Sequence, residues 1–367
     1  ELMFAENNPS FRLYEERLYS LNETFQFYQD RQFQKIWNTE DGFSTNTKQL
    51  INELKAASLE GLNPRDYHIN SIQDFLQDQN LSAVLTGSLD ILLTDAYLTY
   101  AKHLYNGKVC PDQIDQDWYI PCREVTSSYH SILNTALKQN NIPGSLDKLR
   151  PSHPGYHLLK SALARYRRLE KQYFTNNQTN DLLVNGHIDR SEIRRKLKQL
   201  GDLKSNENRP YHLDSALIRF KTRHGLAANN EIDSATIAWL NEPFSNKIST
   251  IITNMERWRW LPENLGSSYL KVNMADFRLE LINEGRSEFS SAVIIGTPYH
   301  STPAFSADLI QIILNPYWYV PKSIVENEIL LTKDPISYMK THHMEALNNS
   351  NEVVELDSSN WNLEKTD

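Results

Sequence analysis

The spacing of apolar residues changes once along this chain, and that change limits the fold more than any other sequence feature. Up to about residue 240, apolar residues recur with the 3.6-residue period of amphipathic helices. From about residue 269 the period is two: Leu270, Val272 and Met274 alternate with polar neighbours. This pattern predicts an α+β protein of several domains, helical first and β-rich last. The longest helical stripe stops at Gly107 and consists of Leu89, Leu92, Leu93, Ala96, Tyr97, Tyr100, Ala101 and Leu104.

Local signals predict several further elements. Asn283-Glu284-Gly285 is a turn signal between two strands, which indicates a β-meander. The continuous apolar runs 292–295 and 309–314 predict strands that are more deeply buried. The polar stretch 175–181 is typical of a loop, and a helix is predicted near residues 337–347.

Charge and hydropathy narrow the classes of partner. The net charge of −8 argues against a nucleic-acid partner, which would require basic patches. It also provides no attraction toward anionic lipids or an anionic wall polymer, so such binding would rest on shape and hydrogen bonds. No apolar run reaches the length of a membrane span. Because the chain begins at Glu1 and not at Met, we expect a mature or trimmed form, with membrane contact only through a missing N-terminal anchor.

The two cysteines leave two interpretations open. Cys110 and Cys122 lie in a proline-containing stretch, and in an exported protein such a pair can close a short loop as a disulfide. Two unpaired thiols are equally compatible, since the spacing matches no redox or metal motif. The histidines are scattered, and His342-His343 lacks the i, i+4 spacing that would direct both side chains at one ion. We therefore predict no metal site and no cofactor.

The unit at residues 188–243 carries the first specific motif. Its helical stripes are followed by Phe220-Lys221, His224-Gly225-Leu226, Asp233, Thr236 and Leu240-Asn241. This succession resembles the peptidoglycan-binding module, a small three-helix bundle. Lys221 stands where the module usually has glutamine, and Asn229-Asn230-Glu231 replaces its Asp-Gly loop. Asn at position 230 can still adopt the positive φ that glycine would provide.

The resemblance implies a set of candidate peptidoglycan contacts. These are Phe220, His224, Gly225, Leu226, Asp233 and Thr236. From their chemistry alone, Phe220 and Leu226 are core residues, and Thr236 belongs to a helix start. The pattern thus identifies a fold better than it identifies a ligand contact.

A second set of motifs extends over nearly the whole chain. In chain order they are ASLEGLNPRDY (57–67), LTDA (93–96), NMERWRWLP (254–262), YLKVN (269–273), VIIG (293–296), TPAF (302–305) and NPYWYVPKSI (315–324). Their succession resembles the large L,D-transpeptidases, which combine a helical scaffold, an inserted wall-binding module and a YkuD-type catalytic domain. Singly, each motif can be structural. The Arg-Trp run, for example, can be an interdomain anchor with Trp258 and Trp260 on one face and Arg257 and Arg259 on the other.

The resemblance implies three domains: a helical scaffold at 1–180, the peptidoglycan-binding bundle at 188–243 and an incomplete β-rich catalytic domain at 250–367. It also implies acyl transfer by a cysteine thiolate, a histidine and backbone oxyanion donors. The family's His-Gly/Asp-Thr and Ser-x-Gly-Cys-x-Arg segments do not occur in the sequence. We therefore predict no catalytic residue in this chain and expect it to stop in the capping insertion. Cys110 and Cys122 lie in the scaffold, far in sequence from the β-rich domain.

By resemblance, the expected function is 3→3 cross-linking of peptidoglycan at tetrapeptide stems, in the periplasm or cell envelope. The alternative is a catalytically inactive peptidoglycan-binding or scaffold protein. A wall hydrolase using carboxylates is weaker, because Glu256 and Asp276 belong to no recognisable acid/base pair.

Overall fold

The computed structural model describes residues 12–39, 42–77, 82–123, 125, 127–175, 183–184, 187–204, 206–207, 209–297, 299–348, 350 and 352–355. The chain divides into two compact units, residues 1–306 and 307–367. Most of the predicted loop at 175–181 lies outside the described residues. Among the helices of the described ranges, none is both long enough and apolar enough to span a membrane.

The first unit begins with a helical scaffold. Its helices are α1 (Leu21–Gln29), α2 (Thr45–Ala56), α3 (Ile69–Gln77), α4 (Ala83–Asn106), α5 (Tyr129–Lys138), α6 (Ile142–Asp147) and α7 (Pro154–Thr175). Short antiparallel pairs accompany them: β1 (Arg12–Leu13) with β2 (Glu16–Arg17), and β3 (Asn38–Thr39) with β4 (Gly42–Phe43).

Helix α4 is the centre of the scaffold. Every residue from 88 to 101 except Ile91 is buried, so this helix is covered on all sides. Phe27, Trp37 and Leu50 belong to the hydrophobic cluster around it. The predicted stripe that ends at Gly107 is confirmed as a helix.

Two buried carboxylates on α4 fix the segments that surround it. Asp90 accepts hydrogen bonds from the Tyr28 hydroxyl at 2.6 Å and from the Trp37 N–H at 2.9 Å. Burial raises the pKa of Asp90 above its usual range. Asp95 accepts the Ser20 N–H at 2.8 Å and lies 2.8 Å from Nε2 of His68. Backbone groups that no helix or sheet satisfies therefore find partners on the central helix.

His68 lies between two carboxylates. Its Nδ1 is 3.0 Å from Glu16, opposite the contact with Asp95, and the residue is 1% exposed. Burial alone would lower the pKa of His68, but the hydrogen bonds and charges of Asp95 and Glu16 raise it above its usual value. The His68 ring thus links the β1–β2 hairpin to α4.

The small bundle follows the scaffold. After the pair β5 (Leu183–Val184) and β6 (His187–Ile188), it consists of α8 (Arg190–Leu200), α9 (Pro210–Arg223) and α10 (Ser234–Asn241). Asp189 caps α8 by accepting the Ser191 N–H at 2.8 Å. The three helices share one apolar core that includes Leu197, Leu217 and Phe220. The predicted three-helix bundle is confirmed.

Helix α11 (Phe244–Trp260) returns the chain to the scaffold and packs along α7. Met255 joins Tyr156, Leu163 and Ile248 in a cluster between the two helices. The interpretation that tryptophans and arginines alternate on two faces near residues 257–260 is wrong. Because this run is the last turn of a helix, Arg259 and Trp260 are both buried and Arg257 is exposed.

Arg259 connects three segments. Its guanidinium donates to the Glu60 carbonyl at 2.5 Å, to the Tyr156 hydroxyl at 2.9 Å and to Glu256 at 3.0 Å. The Glu60 carboxylate in turn accepts bonds from Arg150 at 2.8 Å, Tyr156 at 2.7 Å and Lys160 at 2.5 Å. Burial would raise the pKa of Glu60, but these donors lower it below its usual range.

The first unit ends in the antiparallel sheet β7 (Ser268–Asn273), β8 (Arg278–Asn283) and β9 (Arg286–Ala292), in that order. Glu284 and Gly285 both have positive φ, +45° and +73°, as a two-residue hairpin turn of this twist requires. The predicted meander and its turn are confirmed. The predicted strand at 292–295 is wrong beyond Ala292, where β9 ends.

The second unit contains α12 (Lys322–Ile324), which continues into a π-helical turn at Val325–Ile329, then α13 (Pro335–Thr341) and the pair β10 (Ala346–Leu347) and β11 (Val353–Val354). The predicted buried strand at 309–314 is wrong: this run pairs with no strand among the described residues, and Ile310 is 92% exposed. The helix predicted to reach residue 347 ends at Thr341. The fold class, an α+β protein of several domains, is confirmed.

Replacing Arg259 with Met tests the buried guanidinium. Because Glu256 and the Glu60 carbonyl lose a charged donor inside the protein, we expect the free energy of unfolding in urea to fall by about 3 kcal/mol. Arg257→Met, on the exposed side of the same turn, is the matched control and should change it by less than about 0.5 kcal/mol. Equal losses for the two variants would contradict the role of Arg259.

His68 should make stability depend on pH. Since its folded-state pKa is raised, the stabilisation is complete below the unfolded pKa of about 6.5 and is lost as pH rises through the folded value. The difference in unfolding free energy between wild type and His68→Gln, measured in urea from pH 5 to 9, should therefore be largest at pH 5. His157→Gln, at an exposed histidine of the same scaffold, should show no such trend. A difference that grows with pH would refute the charged-histidine interpretation.

Candidate functional site

The candidate contact residues of the bundle lie around the end of α9 and the start of α10. Phe220 is fully buried and belongs to the core, as its chemistry predicted. His224, Gly225 and Leu226 terminate α9: the Gly225 N–H donates to the Thr222 carbonyl and the Leu226 N–H to the Lys221 carbonyl. Gly225 has a φ of +68° with open space around it, so the backbone conformation is what favours glycine here.

Asp233 and Thr236 form the N-cap of α10. One carboxylate oxygen of Asp233 accepts both the N–H and the hydroxyl of Thr236, each at 2.7 Å. These bonds hold the pKa of Asp233 well below its usual range. Thr236 is buried, so its side chain is not available to a ligand. The helix-start interpretation of Thr236 agrees with this geometry.

Lys221 is a fully buried side chain whose ammonium is completely hydrogen-bonded. Its three donors meet Asn229 Oδ1 at 2.5 Å, the Glu231 carbonyl at 3.1 Å and Asp233 Oδ2 at 2.9 Å. Lysine has three donors and no acceptor, so three acceptors satisfy it. Lysine in place of glutamine and the altered loop 229–231 therefore belong together. The Lys221 ammonium connects the loop to Asp233, the cap of α10.

An aromatic surface lies beside these residues. Its most exposed ring, that of Trp239, was not among the contact residues predicted from the sequence. The Trp239 ring, in a residue that is 41% exposed, has its centroid 4.8 Å from that of His224. His224 packs on Phe220 at 4.2 Å, and its Nδ1 is 2.7 Å from the Phe220 carbonyl. Burial lowers the pKa of His224. A signal existed: an indole on a short helix, adjacent in sequence to the buried Leu240.

Two lysines crowd the C-terminus of α10. Lys196 donates to the Leu240 carbonyl at 3.2 Å, and Lys247 donates to the Trp239 carbonyl at 3.2 Å. Burial lowers the pKa of each to about 8. They line a cavity of about 80 Å³ together with Leu240, and they place positive charge at the helix end that favours it.

The two cysteines are neighbours in space. Their Sγ atoms lie 3.3 Å apart, and Asp112 completes a group whose ligand atoms all lie within 4.8 Å of one another. The hydrogen bond to Cys122 and the adjacent Asp112 raise the pKa of Cys110 to about 12. Because a thiolate is the nucleophile, this raised pKa argues against Cys110 as an acyl-transfer catalyst.

The loop that carries the cysteines contacts the segment after the sheet. The Tyr119 N–H donates to the Ala304 carbonyl at 2.7 Å, the Ala304 N–H donates to the Asp117 carbonyl at 2.8 Å, and the Ser301 hydroxyl bonds Asp117. Trp118 packs edge-on against Trp260, with ring centroids 5.4 Å apart. The TPAF motif is thereby connected to the scaffold.

Known proteins provide two family matches. Residues 22–163 match the model of a scaffold domain, and residues 267–362 match the model of the L,D-transpeptidase catalytic domain. A protein of Haemophilus influenzae called putative L,D-transpeptidase is 28% identical over 119 residues, which are 32% of this chain and 24% of that protein. The matched part of the chain thus spans about a quarter of the length of this curated relative.

Substitution of Lys221 tests the buried cation. Lys221→Met leaves three acceptors without their donor, and we expect thermal unfolding of the chain to show a loss of about 2 kcal/mol. Lys221→Gln, which restores the usual residue of the module, keeps part of the hydrogen bonding and should lose less. Lys204→Met, at an exposed lysine of the bundle, is the control. A bundle as stable with Met as with Lys would show that the ammonium contributes nothing.

Proposed function

Since the chain belongs to the L,D-transpeptidase family, we propose that it serves 3→3 cross-linking of peptidoglycan and that residues 1–367 supply the wall-binding and positioning parts of that activity. The observation that carries this proposal is the order on one chain: a scaffold match, a small bundle and a catalytic-domain match. Helix α11, which packs along α7, connects the bundle to the sheet β7–β9. We place the protein in the periplasm or cell envelope.

Binding peptidoglycan and cross-linking it require different groups, because cross-linking needs a reactive thiolate. A cysteine thiolate attacks a stem-peptide carbonyl, backbone N–H groups stabilise the oxyanion, and the amine of a second stem resolves the acyl-enzyme. The two thiols of this chain are adjacent to each other on a loop of the scaffold, and the pKa of Cys110 is raised to about 12. Neither is suited to this role. We therefore propose that residues 1–367 by themselves do not catalyse 3→3 cross-linking.

A catalytically inactive peptidoglycan-binding or scaffold protein is the second candidate, favoured by the same placement of the thiols. The two candidates differ in what the gene encodes after residue 367. A Ser-x-Gly-Cys-x-Arg segment in the downstream codons would support the enzyme, and its absence there would support the binding protein.

Wall contact is assigned to the aromatic surface of the bundle. Trp239 offers a large rigid face and an indole N–H, a combination that serves recognition at modest entropic cost. The neighbouring His224 ring extends this face. Of the six residues expected from the family resemblance, we retain His224 as a candidate contact, whereas Phe220 and Thr236 are buried and Asp233 caps α10.

The activity proposal is tested by incubating the chain with disaccharide-tetrapeptides and analysing the products by mass spectrometry. We expect neither 3→3 dimers nor covalent labelling by a carbapenem, because no suitable thiolate is offered. Isolated sacculi mixed with the same preparation should still sediment it. Formation of dimers, or a carbapenem adduct at Cys110 or Cys122, would refute the proposal that residues 1–367 bind the wall without catalysing cross-linking.

The binding surface is tested by Trp239→Ala in the same sedimentation assay. Because truncation of an anchoring tryptophan commonly costs more than about 1.4 kcal/mol, we expect affinity for sacculi to fall roughly tenfold or more. Tyr211→Ala, at an exposed aromatic residue of α9, is the matched control. Unchanged binding by Trp239→Ala with intact thermal unfolding would remove this surface from the proposal.

A further inference from the structure

Residues 107–123 form a strap that is anchored at both ends. At its start, Glu256 Oε1 accepts the Lys108 N–H at 2.5 Å and the Val109 N–H at 3.1 Å. At its end, Arg123 donates to the Tyr105 carbonyl at 3.1 Å, and its guanidinium lies 3.9 Å from the centroid of the Tyr105 ring. Arg123 is 8% exposed. The two anchors bring Cys110 and Cys122, which lie just inside them, close together.

Between the cysteines the strap meets another part of the protein. Residues 117–119 exchange backbone hydrogen bonds with Ala304, and Ser301 bonds Asp117. This contact is exposed: Tyr119 is 64% exposed. Few buried apolar groups support the contact between residues 117–119 and Ala304. How often this contact opens therefore depends on how firmly the strap is held.

We propose that Cys110 and Cys122 are a modification site, at which exchange with a protein or small-molecule disulfide closes the strap into a covalent loop and thereby holds residues 301–304 against the scaffold. Three observations carry this assignment. The Sγ atoms are 3.3 Å apart, Cys122 is exposed and accessible to a reagent, and the loop between the cysteines contains the residues that contact Ala304.

The exchange balances without any further reactant. The Cys122 thiol loses its proton, and its sulfur attacks the oxidant's disulfide, which releases one thiol and leaves a mixed disulfide. The Cys110 sulfur, after loss of its own proton, attacks the Cys122 sulfur of that intermediate and releases the second thiol. One intramolecular S–S bond replaces two S–H bonds, and the two electrons and two protons reside on the oxidant as a dithiol or two thiols.

A closed loop restrains the strap through the chain entropy of its open form. Cross-linking removes conformations in which residues 117–119 leave Ala304, so the contact opens less often. The restraint of the strap does not depend on the proposed function, and it is the same whether the protein is an enzyme or a binding protein.

The experiment compares the full chain after equilibration with oxidised glutathione and after treatment with dithiothreitol. Intact mass and thiol counting should show the loss of two hydrogens and of both thiols within one chain. Hydrogen exchange measured in both states should then show roughly tenfold or greater protection of residues 113–121 and 299–306 upon oxidation. Strands β7 to β9, residues 268–292, serve as the internal control and should not change.

The variant Cys110→Ser with Cys122→Ser should exchange like the reduced protein in both buffers. Four results would overturn the proposal. They are two thiols that stay free in the oxidising buffer, a bond formed between two chains, a bond that leaves exchange at 299–306 unchanged, and tight binding of one zinc ion per chain that blocks oxidation. The last result would make Cys110, Asp112 and Cys122 a metal site, and zinc chloride alone is the probe for it.

Discussion

A single buried guanidinium, that of Arg259, determines how the end of helix α11 is fixed against the helical scaffold. A buried charge is costly unless it is paired and hydrogen-bonded, and the two terminal nitrogens of Arg259 find acceptors on three segments: Glu60, Tyr156 and Glu256. Helix α11 can therefore end in only one place relative to the scaffold. Glu256 also accepts two backbone N–H groups of the strap, so the same turn of helix orders the loop that carries the cysteines.

A comparable arrangement occurs at three other buried acidic or basic side chains of the described residues. Asp90 and Asp95 on α4 accept backbone N–H groups from segments that lack regular structure, and Lys221 donates to the loop 229–231 and to the cap of α10. In each case a buried acidic or basic side chain provides hydrogen bonds that an irregular segment cannot provide for itself. Irregular segments are thereby fixed by a few named contacts, and a substitution at one of them acts on a whole segment.

The sequence predicted the regular elements well and the tertiary environment less well. The stripe from Leu89 to Leu104, the three bundle helices and the turn at Glu284-Gly285 follow from periodicity and turn chemistry, which are local. The family followed from motifs in order. The run at 309–314 was predicted as a buried strand because it is apolar, but a strand also requires partners, and periodicity carries no information about them. Likewise, Arg259 was expected on the face opposite Trp258 and Trp260, because the sequence does not reveal that Glu60 and Tyr156 lie inside to accept its hydrogen bonds.

The acidic charge of the protein restricts how it can recognise a wall polymer. A net charge of −8 gives no long-range attraction to an anionic partner, so affinity must arise from local contacts. Around Trp239, Lys247 donates to its carbonyl, and the guanidinium of Arg223 lies 5.1 Å from the centroid of the Phe220 ring, on which His224 packs. Because Arg223 is already paired with Asp202 at 2.6 Å, the affinity of this proposed contact would have to come mainly from the aromatic face. The proposed wall contact therefore rests on the exposed Trp239 ring and the His224 ring beside it.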